Sequence, residues 1–223
     1  MKVSVLQFPG TNCEYDTKYA FEQLGCDVEI IWHKETKIPS DTELLVIPGG
    51  FSYGDYLRSG AIARFANVMD SVKEYAQNGG KVLGICNGFQ ILLEAGLLPG
   101  AMKRNDTLHF ISKYHTLKVI NNDNTFLSLM KKDEVVNIPV AHHDGNYYID
   151  EKGLKELEAN GQILLKYCDK NGTPISMNGS VANIAGICNK EKNVFGLMPH
   201  PERAIEDLLG STDGVNMLKG FLQ

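Results

Sequence analysis

A cysteine set between two glycines, Gly84-Ile85-Cys86-Asn87-Gly88, and a histidine two residues before a glutamate, His200-Pro201-Glu202, are the residues whose types and spacing suit chemistry. A thiolate attacks carbonyl carbon. An imidazole takes the thiol proton and returns it to a leaving group, and a carboxylate holds that imidazole in the needed tautomer. The first piece has a local logic. Val82 to Ile85 is a short apolar run after Asn78-Gly79-Gly80, which predicts a buried strand. Phe89, Ile91, Leu92 and Leu93 then recur at helical spacing, and Gly96 follows as a stop. Cys86 therefore falls at a strand-to-helix junction, in the Gly-x-nucleophile-x-Gly elbow pattern with sulfur in place of a hydroxyl. The start of the helix directs N–H groups and a positive dipole end at the sulfur, which favours thiolate. A cysteine in a glycine-rich turn is otherwise a small buried apolar residue. The His-Glu pair far down the chain decides between the two.

That pair has its own signals. Pro201 biases His200 toward an extended conformation, so residues 200 and 202 project to one side. Glu202 falls in the first turn of a helix expected to run through Leu209, with Pro201 at its first position and the carboxylate favoured by the dipole. If the apolar run Val194 to Met198 is a strand beside the one ending at Ile85, His200 reaches Cys86. The oxyanion formed on attack needs fixed donors, and the N–H groups of Gly50 and Asn87 are the candidates, both at strand ends facing the thiol. Gln90, one turn into the elbow helix, either contacts a substrate or simply packs the helix. His142, His143 and Asp144 form a metal-like run. Adjacent strand residues point to opposite faces, so no metal shared by 142 and 143 is expected.

The elements that must position these groups alternate. Lys2 to Phe8 is strand one. After Pro9-Gly10, Thr11 or Asn12 caps a helix to about Leu24, with Gly25 as its stop. Val28 to Trp32 and Leu44 to Ile47 are strands, the latter ending in Pro48-Gly49-Gly50. A polar loop with Tyr53, Asp55 and Arg58 leads into an amphipathic helix over Ile62 to Ala76. Strands alternating with helices mean right-handed crossovers and a parallel sheet. The site of such a sheet lies beyond the carboxyl ends of its strands, where Gly49-Gly50 and Cys86 both fall. After Gly100 the pattern changes to short segments near Leu108–Ile111, Leu117–Ile120, Val135–Val140 and Tyr147–Ile149, an antiparallel excursion. Gly153 to Ala159 is a short helix, and Ile163–Tyr167 and Ile184–Ile187 are strands again. The expected fold is a flavodoxin-like, doubly wound, mostly parallel α/β sheet with that excursion, one domain over residues 1–223.

Composition narrows the function. The net charge of −5 gives no reason to expect nucleic acid, and no apolar run approaches the roughly 20 residues of a membrane span. Met1 leads straight into an alternating apolar pattern, so no signal peptide is expected. Five widely spaced cysteines with no Cys-x-x-Cys argue against a disulfide framework or structural zinc. They suit a reduced, cytoplasmic protein. There is no Gly-x-Gly-x-x-Gly and no phosphate-binding Walker sequence, so nucleotide binding by this chain has no support.

Gly84-Ile85-Cys86-Asn87-Gly88-Phe89-Gln90 together with Met198-Pro199-His200-Pro201-Glu202-Arg203 resembles the class I, triad-type glutamine amidotransferases. Gly49-Gly50-Phe51-Ser52-Tyr53-Gly54-Asp55-Tyr56-Leu57-Arg58, with Asn178-Gly179-Ser180 and Ile184-Ala185-Gly186-Ile187, is similar to the branch that forms the glutaminase subunit of phosphoribosylformylglycinamidine synthase. The resemblance runs from Val3 to the C-terminus. It departs at His143-Asp144, where Gly-Glu is usual, and at Ser176-Met177, where Asn-Pro is usual. It implies a catalytic triad of Cys86, His200 and Glu202, L-glutamine as substrate, and a glutamyl thioester whose release gives glutamate and ammonia. It also implies a synthetase partner and a small accessory subunit, with ATP and Mg held by the partner and no cofactor on this chain. Tyr53, Asp55 and Arg58 become candidates for the partner interface. A Cys–His hydrolase of the same fold, such as a peptidase or γ-glutamyl hydrolase, and a scaffold subunit with a decayed site are the competing expectations.

Overall fold

The computed structural model describes residues 1–223. The strands are β1 (Lys2–Gln7), β2 (Asp27–Trp32), β3 (Leu44–Ile47), β4 (Lys81–Ile85), β5 (Ala101–Lys103), β6 (Ile111–Val119), β7 (Val135–His142), β8 (Asn146–Tyr148), β9 (Ile163–Tyr167), β10 (Ile184–Cys188) and β11 (Val194–Leu197). The helices are α1 (Glu14–Gln23), α2 (Val68–Gln77), α3 (Asn87–Glu94), α4 (Glu151–Ala159) and α5 (Gly214–Lys219). One large sheet has the order β2-β1-β3-β4-β11-β10-β9-β6-β7. Its pairings are parallel from β2 to β11 and antiparallel from β11 to β7. β5 and β8 form a separate antiparallel pair.

β3 and β4 lie at the centre of the parallel half. Leu44, Leu45, Val46 and Ile47 have no solvent exposure, and neither do Val82, Leu83 and Ile85. Helices cover both faces of such a sheet, so its strands read as continuous apolar runs. This is why β3 was visible residue for residue. β11 lies directly against β4 in parallel, Leu197 opposite Ile85, and the Cys86 N–H donates to the Leu197 carbonyl over 2.8 Å. The chain that follows β11 therefore emerges beside the end of β4.

Four local expectations differ. α1 begins at Glu14 with Cys13 as the residue before it and no side-chain cap. Thr11 is occupied elsewhere: its hydroxyl accepts from the Phe8 N–H, and its backbone bridges to Gly50. The amphipathic helix starts at Val68, after a tight 3-10 turn at Ala63–Phe65 and an extended Ala66. Leu108 has φ 58° and lies in a loop, so the strand begins only at Ile111. No α-helix follows Arg203. Short turns at Pro201–Arg203 and Asp207–Leu209 are closed by Gly210 at φ 95° and a Glu206–Ser211 bridge, and the helix comes later, as α5. Glu202 consequently owes nothing to a helix dipole.

Candidate active site

Cys86 has φ 51° and ψ −105°, a conformation foreign to strand and helix alike. Such a backbone costs about 1–3 kcal/mol and persists only where its surroundings impose it. The imposing contacts are visible. A methyl group on Gly88 would sit inside the Ile47 carbonyl of β3, and one on Gly84 would strike Gly88 and Leu92. The elbow is packed so closely against its neighbour strand that only hydrogen fits. Three side chains meet at Gly49 as well. A Cβ there would lie 2.7 Å from His200 Cε1, 3.0 Å from Cys13 Sγ and 3.4 Å from Cys86 Cβ.

His200 is 2 % exposed and Glu202 is 1 % exposed. Imidazole Nδ1 and carboxylate Oε1 are 2.7 Å apart. A buried ionic partner of this kind fixes the ring and leaves Nε2 for proton transfer; Nε2 has no hydrogen-bond partner. Burial opposes the imidazolium, but the Glu202 carboxylate, helped by the two nearby thiols of Cys86 and Cys13, holds its pKa well above the usual histidine range. The stability contributed by this raised value is present in full below the unfolded pKa of 6.5 and is lost as pH rises through the folded one. The Cys86 thiol is not hydrogen-bonded to Nε2. It points at the Ala141 carbonyl, 3.7 Å away. In this unliganded arrangement the β7 carbonyl competes with the imidazole for the thiol proton.

The Gly50 N–H makes no hydrogen bond within the chain, and Gly50 has φ 146°. The Asn87 N–H is the first of α3, among those that a helix leaves without an internal acceptor. Gly50 borders the same cavities as Cys86, and Asn87 follows Cys86 directly. The Asn87 side chain is fully used: Oδ1 accepts from the Ser52 N–H at 3.0 Å, and Nδ2 donates to Asp55 Oδ1 at 3.3 Å and Gln90 Oε1 at 2.8 Å. The elbow is thereby tied to the 51–60 loop. Gln90 in turn donates to the Asp144 carbonyl at 2.6 Å, so it props the wall of the cavity as well as facing it.

That cavity is about 300 Å³ and opens on Cys86, with Asp55, Ser59, Gln90, Arg104 and Asp144 among its lining. Burial, and then the neighbouring Asp144 carboxylate, push the Asp55 carboxyl up to about 6. His142 is buried, bonded through Nδ1 to Asn105, and burial lowers it to about 4. His143 instead meets Asp144 at 2.9 Å on the rim. The two histidines diverge as the strand alternation requires. Cys13, His200 and Glu202 do cluster within 4.8 Å of one another, but the Arg203 guanidinium donates to Cys13 Sγ at 3.1 Å and sets a fixed positive charge where a cation would bind.

The loop residues fall in different places. Tyr53 turns inward and bonds to His33 Nδ1 at 2.7 Å, and Asp55 faces the elbow. Arg58 does not pair with Asp55. It grips Glu94 at the end of α3 through two bonds of 2.6 and 2.7 Å. The apolar side chains that the loop offers to solvent are Phe51, Tyr56 and Leu57. Cys13 is the site residue that the sequence did not reveal, and Arg203 stood only at the end of the His-Pro-Glu motif with no role assigned. The only signal for Cys13 was that Gly10-Thr11-Asn12-Cys13 follows β1 at the same carboxyl edge of the sheet as Gly49 and Cys86.

This geometry has counterparts. Residues 1–214 match the model of the CobB/CobQ-like glutamine amidotransferase domain. The chain belongs to the glutamine amidotransferases. Among similar family members, the phosphoribosylformylglycinamidine synthase subunit PurQ of Sulfurimonas denitrificans is 69 % identical over the whole of both chains. The protein of the same name from Wolinella succinogenes is 61 % identical over 99 % of each. A structure of PurLQS from Thermotoga maritima contains a chain that superposes with a TM-score of 0.90 at 40 % identity, covering 99 % of this amidotransferase and 97 % of that chain. The amidotransferase fold is thus an α/β one with a large mixed sheet, as expected.

Glu202→Gln is expected to lower turnover by about 10²–10⁴-fold, because a neutral amide cannot stabilise the imidazolium or fix the proton on Nδ1. Steady-state glutamate release against pH checks this. Unchanged turnover would remove Glu202 from the orienting role.

Proposed function

We propose that this chain is the glutaminase subunit of phosphoribosylformylglycinamidine synthase. The observation that carries the reading is the strained Cys86 thiol beside the buried His200–Glu202 pair, at the wall of a cavity sized and charged for an amino acid. Asp55 and Asp144 offer carboxylates to the α-ammonium of glutamine, and Arg104 offers its guanidinium to the α-carboxylate. The side-chain carboxamide then lies at Cys86. The thiol proton passes to His200 Nε2, and the sulfur adds to the carboxamide carbon. The oxyanion is met by the Gly50 and Asn87 N–H groups. His200 returns the proton to nitrogen, the C–N bond breaks, and ammonia leaves a glutamyl thioester. Water, deprotonated by the same imidazole, cleaves the thioester to glutamate.

The ammonia goes to a synthetase subunit, in a complex that also holds a small accessory subunit. There, with ATP and Mg on the synthetase, it converts formylglycinamide ribonucleotide to formylglycinamidine ribonucleotide in purine biosynthesis. We place the protein in the cytoplasm. Its five cysteines are free thiols, and no helix is long and apolar enough to cross a membrane. The deciding experiment measures glutamate release from glutamine with and without the synthetase partner, beside synthesis driven by ammonium chloride. Absence of glutamine hydrolysis in the reconstituted complex would overturn the reading. No observation favours the peptidase or γ-glutamyl hydrolase alternative.

Asp55 gives a pH signature. Between its ordinary value of 3.8 and about 6, the folded chain keeps a proton that the unfolded chain has released. Stability therefore falls as pH rises through that window, and the cost of the buried carboxylate is complete above it. Asp55→Asn removes the charge. In urea unfolding it should gain stability over wild type near neutral pH, and the gain should shrink below about pH 4. A difference independent of pH would show that Asp55 titrates normally.

A further inference from the structure

Asp144 is the residue at which three walls of the 300 Å³ cavity meet. Its carbonyl accepts from Gln90 of α3. Its carboxylate is held on both oxygens. Ser59 Oγ donates to Oδ2 at 2.9 Å, and His143 Nδ1 meets Oδ1 at 2.9 Å. A carboxylate only accepts, so the imidazole nitrogen is the donor there. Ser59 is buried and itself fixed. Gly60, at φ 78°, presses so closely on α3 that a Cβ would lie 2.8 Å from the Ile91 nitrogen. Asp144 is thus tied to the 51–60 loop, to the elbow helix and, through His143, to the end of β7. Asp55 is held differently. The donor that reaches it is Asn87 Nδ2, at 3.3 Å. The Ser59 hydroxyl is close to both carboxylates but has a single proton, which goes to Asp144. Two carboxylates facing one cavity are then short of positive charge. Burial and the Asp144 charge together favour a protonated Asp55. A substrate ammonium would supply the missing charge with three N–H donors.

We propose that Ser59 and His143 are positioning residues for glutamine: by holding both oxygens of Asp144 they aim its remaining lone pairs, beside Asp55, at the α-ammonium. The inference rests on the amidotransferase reading above. Each carboxylate oxygen has two lone pairs, and one on each is already taken, so the direction left to the ammonium is set before it arrives. The selection that follows is for a free amino acid. An N-acylated or peptide-bound glutamine brings an uncharged amide to the same place and leaves both carboxylates without a cation. Neither Ser59 nor His143 acts on the scissile carboxamide, which lies at Cys86. Their loss therefore weakens binding and spares the chemical step.

The test measures hydrolysis by the complex reconstituted with the synthetase, for wild type, Ser59→Ala, His143→Ala and His143→Asn. The last keeps a side-chain N–H donor where Nδ1 stands. Two substrates are compared: glutamine, and glutaramate, which is glutamine without its α-amino group. In both alanine variants the KM for glutamine should rise by roughly 10–100-fold, the worth of a hydrogen bond to a charged group, while kcat stays near that of wild type. The kcat/KM for glutaramate should not change, and His143→Asn should restore the KM for glutamine. The His143 side chain is 42 % exposed, so His143→Ala keeps the fold and carries the test alone if Ser59→Ala does not assemble. An unchanged KM for glutamine in His143→Ala would overturn the proposal. So would an equal loss on glutamine and glutaramate, which marks a general loosening of the cavity wall. A wild-type complex that releases no glutamate would instead overturn the amidotransferase reading, so the two failures are distinct.

Discussion

Cys86→Ser should abolish glutamine hydrolysis while leaving the fold intact. The exchange is nearly isosteric, and its backbone strain is set by Gly84 and Gly88 rather than by the side chain. The hydroxyl, however, holds its proton against an imidazole tuned to a thiol. A knocked-out nucleophile costs on the order of 10³-fold or more in turnover. The check is glutamate release beside a thermal melt. The partner's chemistry needs only ammonia, so synthesis from ammonium chloride should survive in the complex of the variant. Hydrolysis within about tenfold of wild type would remove Cys86 as nucleophile, since one general acid–base contribution alone exceeds that factor.

Gly88→Ala should be the most damaging small substitution in the molecule. The added methyl meets the backbone carbonyl of Ile47, which sits in the central strand and cannot move without breaking the β1–β3–β4 ladder. Overpacking of a well-packed core typically costs about 1–3 kcal/mol, and here the obstacle is main chain. We expect a lower melting temperature and loss of glutaminase activity. Gly96→Ala is the matching control, because nothing lies within 4 Å of a Cβ at Gly96. That site has φ 73°, so the control carries backbone strain without a clash. Gly88 itself is helical and has no positive φ, so an effect no larger than that at Gly96 would show that the Ile47 carbonyl yields to the added methyl.

The two substitutions also mark what the sequence could and could not disclose. The elbow was legible because its causes are local: a strand, two glycines and a helix follow one another within a few residues. His200 and Glu202 were legible for the same reason, with Pro201 fixing the backbone between them. Cys13 was not, because its place beside His200 depends on the Cys13 N–H donating to Gly49 and on Gly49 lying next to Cys86, contacts across distant segments. The antiparallel strands were seen as strands, but their membership in the main sheet was not. β6 reaches that sheet only through β9, paired at Leu117–Val119, and no periodicity encodes such a partner. The turns after Arg203 misled for a different reason. Their residues tolerate a helix, and it is the Glu206–Ser211 bridge that prevents one.

The strand order has a consequence for the chain as it is made. β4 carries the nucleophile at its end, yet its second neighbour is β11, which is synthesised more than a hundred positions later. On a ribosome adding about 5–20 residues per second, β2, β1, β3 and β4 can associate while β11 is still roughly 5–20 s away. Throughout that interval β4 is an open edge with no charge after Lys81, the kind of strand that captures other strands. The interval also has a protective side. A nascent chain already holding Cys86 has no imidazole and no carboxylate beside it. It cannot consume glutamine until translation is nearly finished, and the strand that silences the sticky edge is the one that switches on the enzyme.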